Sequence, residues 1–447
     1  MKKTDIPHHT VWIIGLWHQG LVMAAVLAEN GFDVIGIASD AGALELIRSG
    51  VLPVFEPGLE SSIMSGLDSG KLKFVILGDD KLPAPDLVIL AHDTEVDDLD
   101  RVKIDAILKD FKNVVTEINY SVQILVTAQV PLGTCKNLEE TAKKLNPGPN
   151  FGIAYMPENL KLGTALERFR KIPLPIIGIR NASQELFYEN VFKILAPTIH
   201  FCTIEEAELL KTSLNCFLAI SVTFGNEIFR IASESGINAS RVIELLQLEP
   251  RIGISLPMRP GLAFSGGTLA RDVQGIRRLA KQKNVDIPMI QGIWTSNNKQ
   301  KVFFVNYVKQ RARQMSASIQ DRTPLIGILG LTYKPGTSTL RRSISIWTCL
   351  SLQSSGFDVV IHDPMQDSFA DVQLKGLRKI DSADELITLV DLVVVMTPWP
   401  EYEDVLRRAT QEFKTKVIID PFSQYGFIGN CYPNNYSNFV SAKEESV

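Results

Sequence analysis

The chain begins with a β-strand, a glycine turn, a helix and a second β-strand in close succession. Thr10 to Ile14 is a short run of β-forming residues, and it leads directly into the turn Gly15-Leu-Trp-His-Gln-Gly20. An apolar-periodic helix from Leu21 to Asn30 and a strand from Asp33 to Ile37 follow. This order is the βαβ unit of a dinucleotide-binding fold. It predicts a parallel α/β architecture for the N-terminal part of the chain.

The same alternation continues along the chain. Further short apolar runs predict strands at Phe74 to Leu77, Leu87 to Ala91, Ile124 to Val126 and Phe151 to Ala154. From Glu205 the pattern becomes helical, with a long helix to about Ser235, another over Ala239 to Leu248 and a third from near Leu269. A polar segment from Gln310 to Arg322 then precedes a second strand and glycine turn, Leu325 to Leu331. These features predict a second α/β lobe after a helical centre.

We therefore predict an α/β fold with two Rossmann-like, doubly wound parallel-sheet domains joined by a central all-helical domain. At 447 residues the chain exceeds the size of one ordinary core. The predicted parts are an N-terminal dinucleotide-binding domain (1–204), a central helical domain (205–309), a linker (310–322), a C-terminal Rossmann-like domain (323–433) and a polar tail (434–447). The long apolar central helix is equally consistent with a dimer interface and with packing against both α/β lobes of one chain.

Charge and composition narrow the choice of partners. The net charge is −4, which gives no basic surplus for binding nucleic acid. Apolar runs such as Leu389 to Met396 are far shorter than the roughly 20 residues of a membrane helix, and Met1 to Thr10 lacks a signal-peptide core. The five cysteines have neither disulfide-framework nor metal-site spacing. We expect a cytoplasmic protein with reduced cysteines and no metal, membrane or nucleic-acid partner.

The cofactor turn departs from the usual dinucleotide fingerprint, which has three glycines. Gly15 and Gly20 supply the first and third, but Trp17 stands at the second, where its indole must point away from the phosphates or occupy their place. Ala38 ends the second strand where an acidic residue is expected, and Asp40 follows two residues later. We predict NAD as the cofactor. NADP stays open, because Ala38 removes a carboxylate that would repel a 2′-phosphate while no arginine directly follows.

Several short motifs occur in a fixed order between about residues 10 and 425. They are Phe55-Glu-Pro-Gly-Leu59, Val130-Pro-Leu-Gly-Thr134, Pro157-Glu-Asn-Leu160, Gly163-Thr-Ala165, Ala207-Glu-Leu-Leu-Lys211, Pro250-Arg-Ile-Gly253, Gly330-Leu-Thr-Tyr-Lys-Pro335 and His362-Asp-Pro364. Their sequence and order resemble those of the UDP-glucose/GDP-mannose dehydrogenase family, the nucleotide-sugar 6-dehydrogenases. The resemblance implies an NAD-dependent oxidoreductase that acts on a nucleotide sugar. It implies further that residues 323–433 form the nucleotide-sugar-binding domain and that residues 205–309 form the dimerisation domain of a homodimer.

The resemblance also assigns catalytic roles. Lys211 and Asn215 lie four residues apart, so a helix presents them on one face. On an isolated helix such a pair is more often a solvated polar stripe, whereas the family uses these positions to stabilise the developing alkoxide and to order water. Glu158 matches a general base, and Asp272 matches an aspartate that organises water near the nucleophile.

Binding residues are carried over in the same way. Arg251, Lys334 and Arg341 match positions that grip the nucleotide diphosphate, Arg251 by reaching into a neighbouring subunit. The other predicted substrate contacts are Glu158, Leu160, Lys211 and Gly261. The predicted cofactor contacts are Gly15, Trp17, His18, Gln19, Gly20, Asp40, Thr94 and Gln129.

The departures from the family pattern concentrate at the cofactor and the reacting carbon. Thr268 stands where the family has its nucleophilic cysteine, and a threonine hydroxyl has no appreciable alkoxide fraction at neutral pH without a dedicated base. Gln129 replaces a threonine, and His92-Asp93 replaces Val-Gly before the matching Thr94. A thiohemiacetal cannot form on Thr268. We include Thr268 among the catalytic candidates because it occupies the position of the family's nucleophile.

Three functions remain open at this stage. The first is oxidation of the 6-hydroxyl of a UDP- or GDP-linked hexose with NAD, either stopping at the aldehyde or reaching the acid through a hydrated aldehyde. The alternative is a non-catalytic homologue that binds a nucleotide sugar, as the changes at Trp17, Ala38 and Thr268 suggest. A third possibility is a cofactor-retaining epimerase, for which the sequence offers no specific support.

Overall fold

The computed structural model describes residues 9–78, 82–97, 100–316, 322–338, 340–370, 374–432 and 434–439. It divides the chain into two compact units, Met1–Ser213 and Leu214–Val447. The last residues of the predicted tail, 440–447, and residues 317–321 of the predicted linker lie outside the described residues. The predicted domain boundaries remain a prediction.

The first unit is a parallel sheet with interleaved helices. Its elements are β1 (Thr10–Ile14), α1 (His18–Glu29), β2 (Asp33–Ala38), α2 (Ala41–Arg48), α3 (Leu59–Asp68), β3 (Leu72–Ile76), β4 (Leu87–Leu90), α4 (Asp105–Glu117), β5 (Val122–Val126), α5 (Thr134–Leu145), β6 (Phe151–Tyr155), α6 (Ala165–Arg170), β7 (Ile176–Ile179), α7 (Ala182–Phe192), β8 (His200–Thr203) and the start of α8 (Ile204–Glu234). The strand order is β3-β2-β1-β4-β5-β6-β7-β8, and β7 pairs antiparallel with β6.

Burial explains the apolar sequence of this unit. The residues of α1 from Gln19 to Ala28 are all buried, so this helix carries apolar residues on every side instead of one stripe. Two hydrophobic clusters cover the sheet, one including Val11 and Leu21 and the other including Trp12 and Phe111. The strand order reverses between β1 and β4, which opens a crevice at their carboxyl ends.

The second unit continues α8 and carries its own sheet. Its further elements are α9 (Ala239–Gln247), α10 (Thr268–Lys283), α11 (Pro288–Ser316), β9 (Ile326–Leu329), α12 (Ile344–Gln353), β10 (Val359–His362), β11 (Arg378–Lys379), α13 (Ala383–Leu389), β12 (Leu392–Val395), α14 (Pro400–Arg408), β13 (Val417–Asp420), α15 (Gly426–Cys431) and β14 (Tyr436–Asn438), with 3₁₀ turns at Gln366–Ser368 and Ala409–Lys414. The strands are all parallel in the order β11-β10-β9-β12-β13-β14. The predicted fold class is confirmed.

Three features differ from the sequence expectation. No strand was predicted at β7, β8 or β11, although all three are present. The segment from residue 434 was predicted to be a polar tail, but β14 pairs with β13 and Phe439 is buried in the core. The segment from Gln310 was predicted to be a polar linker, but α11 continues through Ser316. The reason is a helical stripe within the polar sequence: Val308, Ala312 and Met315 recur at helical spacing and are buried.

The long central helix predicted from Glu205 to about Ser235 is confirmed as α8, Ile204–Glu234. By length and composition its 31 residues suffice to cross a membrane, with a mean hydropathy of 1.2 in the most apolar window. Core helices of soluble proteins meet the same criterion. In this structure 44% of that window is buried inside the protein.

A buried carboxylate fixes the loops at the carboxyl end of the second sheet. Asp363, which is 0% exposed, directly follows β10. Its Oδ2 accepts hydrogen bonds from the backbone N–H of Leu331 at 2.6 Å and from the Trp399 indole at 3.3 Å, and its Oδ1 accepts from Met365 N–H at 2.8 Å. The loop after β9, which carries Lys334, is therefore positioned by Asp363.

We predict that Asp363→Ala lowers the free energy of unfolding by about 3 kcal/mol, because several buried donors lose their acceptor together. Urea denaturation followed by circular dichroism measures this change. The matched control is Asp367→Ala, an exposed aspartate in the following turn, which should change stability by less than about 0.5 kcal/mol. Equal effects of the two substitutions would contradict the structural role of Asp363.

Candidate functional site

A cavity of about 750 Å³ opens at the carboxyl ends of β1, β2 and β4. This volume lies within the range of about 300–1,000 Å³ that is common for cofactor sites. The glycine turn forms one wall. Gly15 has φ +96°, and a Cβ there would lie 2.7 Å from His92 N, while a Cβ on Gly20 would lie 2.1 Å from Gly15 O. Both positions therefore require glycine, as a dinucleotide turn does.

Trp17 lies in the wall of this cavity, at the N-cap of α1. Its side chain is 49% exposed, so the indole is available to a bound molecule. Its backbone N–H donates to Gly15 O at 3.0 Å, and its carbonyl accepts from Leu21 N–H at 3.3 Å. Both backbone groups of Trp17 therefore have hydrogen-bond partners within the turn and the first turn of α1, at the position where the fingerprint has its second glycine.

His18 and Gln19 are directed into the protein by specific partners. His18 Nε2 and Glu56 Oε2 are 2.9 Å apart, and Gln19 Nε2 donates to His92 O at 2.7 Å. Gln19 also accepts from Thr127 Oγ1 at 3.2 Å. These contacts join the first turn of α1 to the segments that follow α2 and β4.

The remaining predicted cofactor residues divide into two groups. Thr94 lines the cavity and donates from Oγ1 to Gln129 O at 2.8 Å, so the ends of β4 and β5 are linked there. Asp40 instead caps α2 by accepting from Ala43 N–H at 2.9 Å. That hydrogen bond, with help from Ser39, lowers the pKa of the Asp40 carboxyl.

Lys211 is only 8% exposed and is held by the Pro-Glu loop after β6. Its ammonium donates to the backbone carbonyl of Glu158 and to Asn159 Oδ1, the latter at 3.0 Å. The Glu158 carboxylate in turn accepts from the backbone N–H of Leu160. The structure therefore brings together three predicted site residues in the first unit, with Asn159 as an added partner.

In the second unit, Asn215 and Asp272 form a buried pair. Asn215 Nδ2 donates to one carboxylate oxygen of Asp272, and Arg271 Nε donates to the other at 3.1 Å. The side chains of Arg271 and Asp272 are 14% and 4% exposed, so this ion pair is largely shielded from water. Asp272 fixes the orientation of the Asn215 amide.

Thr268 is the first residue of α10 and is exposed. Among the residues that the structure describes, none forms a hydrogen bond with its hydroxyl. The preceding turn is held in place by the loop after β9: a Cβ on Gly266 would lie 2.8 Å from the Tyr333 ring, and one on Gly267 would lie 3.7 Å from Arg341 Cδ. The catalytic-loop position is therefore well defined, but no base activates its alcohol.

The other predicted substrate residues lie in distinct settings within the second unit. Gly261 is held on both sides, with its N–H donating to Asn226 Oδ1 at 3.0 Å and its carbonyl accepting from Gln300 at 2.6 Å. Lys334 Nζ lies 5.6 Å from the Tyr333 ring centroid. Arg251 is 85% exposed and pairs with Glu249 at 2.8 Å, a pair that water screens.

Sequence reasoning missed Glu56 and Asn159 as organising groups. Glu56 is 4% exposed and accepts from the backbone N–H groups of Gly163 and Ala165 at 2.7 and 2.8 Å as well as contacting His18. The Glu-Pro-Gly motif contained this residue, but only the fold reveals what it binds. No group of three or more metal-ligating side chains occurs within the described ranges.

One thiol lies beside these residues. Cys216 follows Asn215 on α8 and is buried with Ala219, Val273 and Ile293. Burial, with a further contribution from the charge of Asp272, raises the pKa of the Cys216 thiol to about 12. A thiol with that pKa is almost entirely protonated at neutral pH and is a poor nucleophile.

We predict that iodoacetamide at pH 7.5 labels Cys431 well before Cys216 in the native protein. Cys431 is exposed, whereas Cys216 is shielded and protonated. Peptide mass spectrometry after short labelling measures the two sites, and labelling in urea, which should modify both equally, is the control. Rapid native modification of Cys216 would show that its thiol is reactive.

These features define a class of protein. Two doubly wound parallel sheets, a glycine turn at the first switch point and a buried lysine on the central helix are typical of dinucleotide-dependent oxidoreductases. Comparison with family models is more specific. The NAD-binding, central and UDP-binding domains of the UDP-glucose/GDP-mannose dehydrogenase family match residues 9–196, 205–299 and 327–426.

Individual relatives agree with this result. The chain is 31% identical over 360 residues to GDP-mannose 6-dehydrogenase of Pseudomonas syringae pv. tomato, covering 78% of this chain and 80% of that one. It is 26% identical over 421 residues to UDP-glucose 6-dehydrogenase of Rhizobium meliloti, covering 92% and 94%. The chain belongs to the UDP-glucose/GDP-mannose dehydrogenase family.

A solved structure supports the fold. The UDP-glucose dehydrogenase of Pyrobaculum islandicum matches with a TM-score of 0.84 and 24% identity, covering 99% of this chain and 100% of that one. The predicted family and the predicted NAD cofactor are confirmed, and the chain contains the family's NAD-binding and UDP-binding domains. The individual site residues remain predictions.

Proposed function

We propose that this protein oxidises the 6-hydroxyl of a UDP- or GDP-linked hexose with NAD. The observation that carries the proposal is the burial of Lys211, a cation held by the neutral oxygens of Glu158 and Asn159. A positive charge shielded from water stabilises a nearby oxyanion far more than an exposed charge does. Oxidation of an alcohol passes through an alkoxide-like state that needs such a group.

Each residue has a distinct task in this mechanism. The hydroxyl proton leaves through an ordered water, and Lys211 stabilises the oxygen left behind. Asn215 orders that water, and Asp272 keeps the Asn215 amide in the required orientation by accepting from its Nδ2. The residues that line the cavity after β1 and β4, including Gly15 and Thr94, would hold NAD, which would supply the hydride acceptor. Lys334 and Arg341 bind the diphosphate of the nucleotide sugar, so that the reacting carbon is positioned by contacts remote from it.

We propose that the reaction releases one NADH and stops at the aldehyde. The second oxidation needs a group that adds to the aldehyde carbon, and Thr268 has an unactivated hydroxyl. The nearby Cys216 thiol is protonated because its pKa is about 12. The remaining route to the acid is through the hydrated aldehyde with Glu158 as base, which requires no covalent intermediate.

A second candidate is a homologue that binds a nucleotide sugar without catalysis. The specific observation in its favour is Trp17, which lines the cofactor cavity at the position where the dinucleotide fingerprint has its second glycine. Calorimetry separates the two functions. A dehydrogenase should bind both NAD and a nucleotide sugar, whereas a non-catalytic homologue should bind only the nucleotide sugar. For the non-catalytic homologue, the absorbance at 340 nm should also stay constant with every nucleotide sugar tested.

We predict that Lys211→Ala lowers kcat by about 100- to 1,000-fold, because the alkoxide loses its charge partner. Steady-state NADH formation with UDP-glucose and GDP-mannose measures the effect. Lys161→Ala, which removes an exposed lysine in the loop that follows the Pro-Glu segment, is the control and should leave kcat within about twofold. Equal activity of the two variants would remove Lys211 from the mechanism.

We also predict that Thr268→Cys raises the NADH released per sugar from one to two, because a thiol can capture the aldehyde. Product analysis by mass spectrometry distinguishes aldehyde from acid. Thr268→Ser, which keeps an alcohol, should still release one. Two NADH per sugar from the unaltered protein, without an acyl-enzyme, would instead indicate the hydrated-aldehyde route.

We propose further that the protein is a homodimer through its central helices. Along α8 an apolar stripe of Phe217, Phe224 and Ile231 recurs every seven residues, and these side chains are 52%, 42% and 66% exposed. Such a stripe is the pattern by which helices pair. In a homodimer of this kind Arg251, being exposed, can reach the partner's diphosphate site.

We predict that Phe224→Glu converts the dimer to a monomer, because a charge in the centre of the apolar stripe would be buried without a partner. Light scattering should give twice the 49.6 kDa chain mass for the unaltered protein and the single-chain mass for the variant. Lys283→Glu, an exposed charge reversal at the end of α10, serves as control and should remain dimeric. A monomeric unaltered protein would contradict the proposal.

A further inference from the structure

Asn159 lies in the Pro-Glu loop after β6, where neighbouring groups hold both its backbone and its side chain. Arg168 Nε on α6 donates to the backbone carbonyl of Asn159 at 3.1 Å. The Asn159 amide nitrogen donates to the Pro157 carbonyl at 3.3 Å. The Asn159 amide oxygen accepts from the Lys211 ammonium at 3.0 Å. This side chain therefore joins the loop to the lysine that the proposed mechanism uses.

The two partners of the amide determine which way it faces. The Lys211 ammonium can only donate, so the amide oxygen of Asn159 must face it. The Pro157 carbonyl can only accept, so the amide nitrogen must face that oxygen. If the amide were turned over, it would place two donors together at one end and two acceptors together at the other. Asn159 is therefore fixed in a single orientation.

A lysine side chain needs such a contact if its ammonium is to stay at one point. The four-carbon stem has several rotatable bonds, and ordering them costs conformational entropy. Lys211 is 8% exposed, and its ammonium also donates to the backbone carbonyl of Glu158. The amide of Asn159 and this carbonyl are uncharged acceptors. They hold the ammonium in place without cancelling its positive charge, whereas a carboxylate at residue 159 would cancel much of it.

We propose that Asn159 is a positioning residue for the oxidation, because it fixes the Lys211 ammonium beside the developing alkoxide and leaves its charge intact. The proposal rests on the proposed dehydrogenase function, in which Lys211 stabilises that alkoxide. Asn159 acts through Lys211 and not on the sugar directly. Arg168 acts one step further away, since it holds the backbone of Asn159.

Two substitutions of nearly the same size as asparagine separate position from charge. Asn159→Leu removes the acceptor, so Lys211 keeps its charge but loses its fixed position, and kcat should fall about 10- to 30-fold. Asn159→Asp keeps an acceptor but adds a negative charge beside the ammonium, so kcat should fall about 100-fold. In both variants KM for the nucleotide sugar should stay within about twofold, because the proposed diphosphate contacts Lys334 and Arg341 are unaltered. Steady-state NADH formation measures both constants.

A double substitution tests whether Asn159 acts through Lys211. In a Lys211→Ala background, Asn159→Leu should change kcat by less than about twofold, because no ammonium is left to position. A general structural effect of Asn159→Leu would instead lower kcat by the same factor with and without Lys211. Equal factors in the two backgrounds would overturn the positioning role.

Asn190→Leu is the matched control. Asn190 on α7 also accepts from a lysine ammonium, Lys193 Nζ at 3.5 Å, but this contact is exposed to water. Its loss should leave kcat and KM within about twofold of the unaltered protein. If Asn159→Leu has no larger effect on kcat than Asn190→Leu, the positioning role is overturned.

Nuclear magnetic resonance of ¹⁵N-labelled lysine provides a readout without substrate. A buried, hydrogen-bonded ammonium exchanges its protons with water slowly and gives a resolved signal, which Lys211→Ala assigns by its loss. Asn159→Leu should broaden or remove this signal, whereas Asn159→Asp should keep it. An unchanged signal in Asn159→Leu would overturn the inference and leave the dehydrogenase function standing. Absence of NADH formation by the unaltered protein with every nucleotide sugar would overturn the dehydrogenase function itself.

Discussion

Buried carboxylates that accept backbone N–H groups are the interaction on which the loops of this protein depend. Glu56 binds the amides of Gly163 and Ala165, and Glu208 binds those of Gly133 and Cys135. In the second unit Asp363 and Asp420 do the same, Asp420 through the amides of Phe422 and Tyr425. Each loop lies where strands or helices end and backbone donors would otherwise be unsatisfied.

The energetics explain why carboxylates serve here. A charged acceptor can take several amide donors, and each bond to a charged group contributes about 1.5–3 kcal/mol. Burial works against the charge: it raises the pKa of Glu208 although two amides bind that carboxyl. The arrangement is stable only while every donor and acceptor is matched, so the loops that carry Lys334 and the Pro-Glu segment are held in single positions. Reacting groups placed on such loops need little reorganisation during catalysis.

Much of the fold and part of the site follow from the sequence alone. Strand and glycine-turn patterns predicted both parallel sheets, since the local periodicity and the tertiary arrangement agree. The end of α11 was not predicted, because its buried stripe of Val308, Ala312 and Met315 is diluted by polar residues. The pairing of Lys211 with Asn159 was not predictable either. It depends on which chain segments meet at a sheet edge, and sequence spacing does not contain that information.

The geometry around Thr268 indicates that its change is chemical and not structural. Gly266 still fits against the Tyr333 ring, and the Asn215–Asp272 pair behind the loop is intact and buried. Because the turn and its partners pack closely, the alcohol at residue 268 limits the chemistry available there without disturbing the packing around it. Gly15 and Gly20 likewise keep the close packing of the first turn, because a Cβ at either position would collide with backbone atoms of the protein itself.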